Sequence, residues 1–125
     1  MREIKFRGRS SKDNKTWFTG SLVSLTDIDE AYIDHYDGLR RVIERYPVDP
    51  DTVGQFTGLL DSAGKEIYEG DIISIQGAFG ATATIVKWLE GMWCVKKDLP
   101  LNHVTGIATV VGNVHDNPQL QEDSR

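Results

Sequence analysis

The chain has 125 residues, 39% of them hydrophobic and 26% charged, and a net charge of −5; that is long and apolar enough to fold around a core, which excludes a disordered chain. No window approaches the roughly 18 consecutive apolar residues of a membrane helix, and the basic opening MREIKFRGRS is not followed by an apolar segment, so a cytoplasmic protein without a membrane partner is expected. Six of the 14 Lys and Arg residues lie within the first 15 positions, against two of the 19 acids; a phosphate backbone could approach that arm but would be repelled by most of the remaining surface.

Ile4 and Phe6 alternate with Glu3, Lys5 and Arg7, which predicts a strand with apolar residues on one face and charges on the other. Gly8 to Asn14 reads as a turn, Thr16 to Thr19 restarts a β-favouring run, and Gly20 marks a bulge or a close approach before Ser21 to Leu25. Thr26 followed by Asp27, Asp29 and Glu30 resembles a helix start, but Tyr32, Ile33 and Tyr36 favour strands and Asp37-Gly38 is a hairpin turn. The segment therefore reads as a hairpin or extended arm with one irregular turn. The acids around His35 match no calcium loop and are read as solvated surface. Pro47 and Pro50 should break any ladder between Tyr46 and Thr52, with Asp49-Pro50 suited to capping a single helical turn.

The central stretch, Thr52 to Ile73, has turn clusters at Asp61-Ser62-Ala63-Gly64 and Glu69-Gly70-Asp71 between short apolar runs. Gly54, Gly58, Gly64 and Gly70 fall where a small barrel needs tight turns or close backbone approach. Asp61 and Asp71 are expected to cap turns, and Gln55 and Thr57 to satisfy backbone groups at a bend. The competing reading, that Glu66, Glu69 and Asp71 form a carboxylate cluster for acid/base work, needs a cleft and a perturbed pKa that no sequence displays. Gly77 to Gly80 forms a loop with Phe79 at its tip, and Ala81 to Leu89 reads as one strand apolar on both faces, covered on two sides or lying in a subunit interface. Glu90-Gly91 turns the chain into Met92 to Val95. Cys94, the single cysteine, is read as a small buried hydrophobe. Gly106 to Gly112 is the last strong strand; His115-Asp116 lacks a nucleophile or a zinc spacing, and Asp116 with Asn117-Pro118 is read as capping a terminal turn.

Three stretches in this order, MREIKFRG, TVGQFTGLLDSAGKEIYEGDII and GNVHDNP, closely resemble the YopX family of phage and prophage proteins. The resemblance implies a mainly β chain whose C-terminal part is an SH3-type barrel, an N-terminal portion involved in self-association, and a phage-derived gene. It implies no activity. The expected organisation is an N-terminal β subdomain and oligomerisation arm over residues 1–50, an SH3-type β-barrel over 51–118 and a flexible tail over 119–125.

The residues contain no Walker-type loop, dinucleotide fingerprint or Cys/His array. The expectation is a non-enzymatic, self-associating interaction module without cofactor or metal, acting as a homo-oligomer or on an unidentified host or phage protein. The alternative is a nucleic-acid-binding barrel using Arg2, Lys5, Arg7 and Arg9 with nearby aromatics. Phe79 is the aromatic expected to stand exposed as a binding residue.

Overall fold

A computed structural model describes residues 3–96 and 99–120. Among them the chain is built from antiparallel strands, tight turns and short 3-10 turns, with no α-helix. The mainly β class read from the sequence is the one the chain adopts. Two compact units divide it, Met1–Phe56 and Thr57–Arg125. The expected tail lies beyond the described residues from position 121 onward.

In the first unit, β1 (Phe6–Arg9), β2 (Trp17–Leu25), β3 (Glu30–Asp37) and β4 (Val42–Val48) follow one another as antiparallel neighbours. β2 serves two partners in succession: Trp17 to Gly20 pair with β1, and Ser21 to Leu25 pair with β3. The pivot is Gly20, at φ 155°, where an added Cβ would stand 2.2 Å from the Asp34 carbonyl oxygen. A side chain has no room there, so glycine is what lets the strand change partners.

The end of β1 then returns to the end of β4. Ser10 bridges Val48, Ser11 N–H donates to the Pro47 carbonyl at 3.2 Å, and Asp49 N–H donates to the Arg9 carbonyl at 2.9 Å. This curl encloses Ala31, Ile33 and Val48, with Phe6, Phe18, Leu22 and Val53 packed around them. Phe18 also stacks on Tyr46, ring centres 3.9 Å apart.

The irregular arm resolves into the β3–β4 hairpin, paired from Ala31↔Val48 to Asp37↔Val42. Contrary to the expected break at the prolines, Pro47 sits within β4 opposite Tyr32. β4 has only β3 as a full-length neighbour, so the missing N–H removes no ladder bond that β3 requires. Asp49 does cap a 3-10 turn, Pro50–Thr52, its Oδ1 accepting from Asp51 N–H.

The second unit receives the end of β5 (Gly54–Leu60) and adds β6 (Glu66–Tyr68), β7 (Asp71–Gly77), β8 (Gly80–Ile85), β9 (Lys87–Leu89), β10 (Met92–Val95), β11 (Leu99–Pro100) and β12 (Ala108–Asn113). Two three-stranded sheets form, β12-β7-β8 and β11-β10-β9. The strand expected over Ala81 to Leu89 is interrupted at Val86. Its N–H donates to the Asp71 carbonyl and its carbonyl accepts from Gly70 N–H, so the Gly70-Asp71 corner takes both backbone groups and separates β8 from β9. Among the described residues these sheets do not close into a barrel. Ile67, Ile73, Val86, Val95, Leu101, Val104 and Ala108 make the core of this unit. Leu101 reaches it from a 3-10 turn, and a second such turn, Thr105–Ile107, delays the last strand to Ala108. Cys94 is fully buried.

Candidate functional site

Asp61 occupies the turn between β5 and β6 and is only 6% exposed. Its Oδ1 accepts from Ala63 N–H and Lys65 N–H, and its Oδ2 accepts from Val110 N–H on β12, each at 2.9 Å. Burial pushes this carboxyl's pKa up, but the three backbone donors and the Lys65 charge outweigh it and hold the pKa below the ordinary carboxylate value. The carboxylate is thus held ionised by backbone groups it satisfies, an arrangement suited to fixing a turn rather than moving a proton.

At the next corner Gly70, at φ 87°, adopts the left-handed conformation glycine favours. Its carbonyl accepts from Val114 N–H. Asp71, 1% exposed, accepts Tyr68 N–H on Oδ2 at 2.7 Å. Thr57 Oγ1 donates to the Ile67 carbonyl at 2.8 Å and accepts from Leu59 N–H. Gln55 lies in β5 opposite Phe6, beside Gly54 opposite Arg7. Gly58 and Gly64 are exposed strand and turn positions. Glu66 accepts from the Tyr68 hydroxyl at 3.1 Å, and Glu69 is an exposed residue of the next turn. Thr57, Asp61 and Asp71 thus bind backbone groups at separate places, and Glu66 binds a side chain.

The terminal turn is held by a residue the sequence reading passed over. Asn113 Oδ1 accepts from His115 N–H and Asp116 N–H, and Asn113 N–H donates to Asn117 Oδ1. Asn113 bonds the N–H groups two and three residues on, an Asx-type turn, and an Asn directly after the glycine that ends a β-favouring run is the signal that was there to find. Among the described residues no three His, Cys, Asp or Glu side chains gather where an ion could sit. Three of the acids around His35 are engaged individually: Glu30 accepts from the Tyr32 hydroxyl, Asp34 binds Arg45 through two nitrogens, and Asp37 accepts from Arg40.

The alternation places Lys5, just before β1, on one side with Arg7 and Arg9 of that strand. Lys5 Nζ stands 5.0 Å from the centre of the Phe56 ring, and the Arg7 guanidinium 4.8 Å from Trp17. Arg45 lies 5.6 Å from Tyr32 on the same unit. These cations cover aromatic faces, which are then less available for stacking nucleobases. Arg9 is half-buried, its N–H donating to Thr52 Oγ1. Arg2 lies outside the described residues.

Phe79 stands fully exposed at the β7–β8 turn, beside a shallow cleft of about 310 Å³ that it lines with Gly77, Thr82 and Lys96. The sequence reading missed a second class of exposed apolar residue. Leu25 and Ile28 stand out at the β2–β3 turn, and Tyr36, Leu39, Val42 and Ile43 at the β3–β4 turn. Both groups belong to the first unit. Hydrophobic periodicity does not reveal them: Ile28 and Leu39 are turn residues with no face, and Leu25, Tyr36, Val42 and Ile43 lie at strand ends whose apolar side chains remain exposed.

The sequence matches the family model for YopX protein over residues 5–122. No curated protein matches it. Among solved structures, the protein EF1440 from Enterococcus faecalis is similar, with 21% identity and a TM-score of 0.62 over 98% of this chain and 100% of that one. That likeness is one of fold. Among the described residues, no helix is long and apolar enough to cross a membrane.

Proposed function

The chain belongs to the YopX family, and from that premise we propose that it is a non-enzymatic, self-associating protein of phage or prophage origin. It acts in the cytoplasm through contacts with copies of itself and with a host or phage protein, and its second unit works as an SH3-type module. The observation that carries this reading is the grouping of exposed apolar side chains at the two ends of β3 in the first unit, with Leu39 at 98% in the β3–β4 turn, since apolar groups left together in water mark contact surfaces. The bonding of Asp61 and Asp71 to backbone N–H groups supports it from the other side, by giving those carboxylates a structural task.

Light scattering across a micromolar dilution series tests the proposal. An assembly that dissociates on dilution is expected, and a strict monomer overturns it. A second reading rests on the basic face of β1: a nucleic-acid contact through Lys5, Arg7 and Arg9. Affinity for single-stranded or duplex DNA that falls steeply with salt would favour it; no binding at low salt removes it.

A further inference from the structure

The two exposed apolar groups of the first unit lie at opposite ends of β3, and their charges differ. β3 has eight residues, which sets its ends about 24 Å apart. At one end, the β2–β3 turn carries Asp27, Asp29 and Glu30 and no base. Ser24, Leu25, Thr26, Asp27 and Ile28 line a shallow depression of about 360 Å³ there, with Ile28 61% exposed.

At the other end, the β3–β4 turn presents Leu39 at its apex with Val42 and Ile43 beside it. Arg40 is neutralised locally by Asp37 and Glu44. Arg41 is exposed and forms no ion pair among the described residues, nor do Asp27 and Asp29 at the opposite end. One end is thus an apolar projection with an unmatched cation, the other an apolar depression with unmatched anions.

We propose that these ends bind each other between copies: the β3–β4 turn of one chain seats Leu39 against Leu25 and Ile28 of the next, with Arg41 facing Asp27 and Asp29. The inference rests on the self-association reading and deepens it by naming the surface. A contact of this kind is heterologous. It uses different patches on the two partners, leaves one unused patch at each end of a pair, and so continues until the rotation per copy closes a ring or an open chain grows. The charge match also sets direction, because a tip-to-tip pairing would oppose two Arg41 side chains.

Two variants test it by sedimentation velocity, with circular dichroism to verify the strand content of each. The tip variant carries Leu39→Ser and Arg41→Asp; the depression variant carries Asp27→Ser and Ile28→Ser. All four positions are exposed turn residues. The expected result is that wild-type protein forms species larger than a dimer and each variant alone is monomeric. An equimolar mixture should give a one-to-one dimer and nothing larger, since each variant retains the patch the other lacks. Arg41→Asp alone should weaken assembly at least about tenfold. Variants that assemble like wild type, a mixture that stays monomeric, or an unchanged Arg41→Asp would each overturn this surface while leaving self-association standing. A wild-type protein monomeric at high micromolar concentration would remove the self-association reading itself, and this inference with it.

Discussion

Two aspartates bind their own turns in nearly the same way and in different surroundings. Asp37, at the β3–β4 turn, accepts from Leu39 N–H and Arg40 N–H on one oxygen and from Arg40 Nε on the other. Asp61 does the same with Ala63 and Lys65, but its second oxygen reaches Val110, 49 residues away. The local motif is shared; the third donor differs. At Asp37 that donor is a surface arginine from the same turn, so the aspartate shapes only the tip. At Asp61 it is the backbone of another strand, and the carboxylate joins β12 to the β5–β6 turn. Burial and reach, more than residue type, determine whether a turn aspartate supports a whole unit.

Replacing Asp61 is the sharpest way to break this comparison. Asp61→Ala would leave three partly buried N–H groups without their acceptor, and a loss of about 3 kcal/mol in denaturant-induced unfolding is expected. Asp61→Asn keeps one acceptor oxygen and should lose less. Gly20→Ala provides the counterpart for the first unit. An added Cβ meets backbone rather than a yielding side chain, and about 2 kcal/mol of destabilisation is expected, with β2–β3 amides the first to lose protection from hydrogen exchange.

Acid gives a milder test. The folded pKa of Asp61 is depressed, so its stabilisation is fully present above the unfolded carboxylate pKa of about 3.9. It is lost as pH falls through the lower folded value. The unfolding midpoint should therefore drop below about pH 4, and the drop should be smaller in Asp61→Asn. Smallest of all is Asp37→Asn, where water can replace the lost bonds; an unfolding midpoint indistinguishable from wild type is expected. A loss at Asp37 equal to that at Asp61 would end the distinction between the two turns.

Much of the architecture was legible in the sequence where a local signal had one meaning. The alternation around Phe6 gave β1, Asp37-Gly38 and Glu90-Gly91 gave hairpin turns, and Asp49-Pro50 gave its 3-10 turn. What failed depended on neighbours distant in the chain. Pro47 is tolerated because of where β4 lies, Val86 is diverted by the Gly70-Asp71 corner, and Asp61 is completed by Val110. The turn residues of the central stretch were visible as turn residues, but their partners were not. The exposed Leu25, Ile28 and Leu39 were invisible for a different reason: composition records that a residue is apolar, and only the fold says which apolar residues remain in water.

The bond from Val110 to Asp61 also orders events during synthesis. The first unit holds its closing contacts, Ser10 with Val48 and Arg9 with Asp49, within its own 56 residues, so it can assemble while the ribosome is still translating the second. The second unit must wait until β12 has emerged, and until then the Asp61 carboxylate has only the donors of its own turn. A nascent chain stalled before Ala108 should therefore display one protease-resistant half and one that is readily digested.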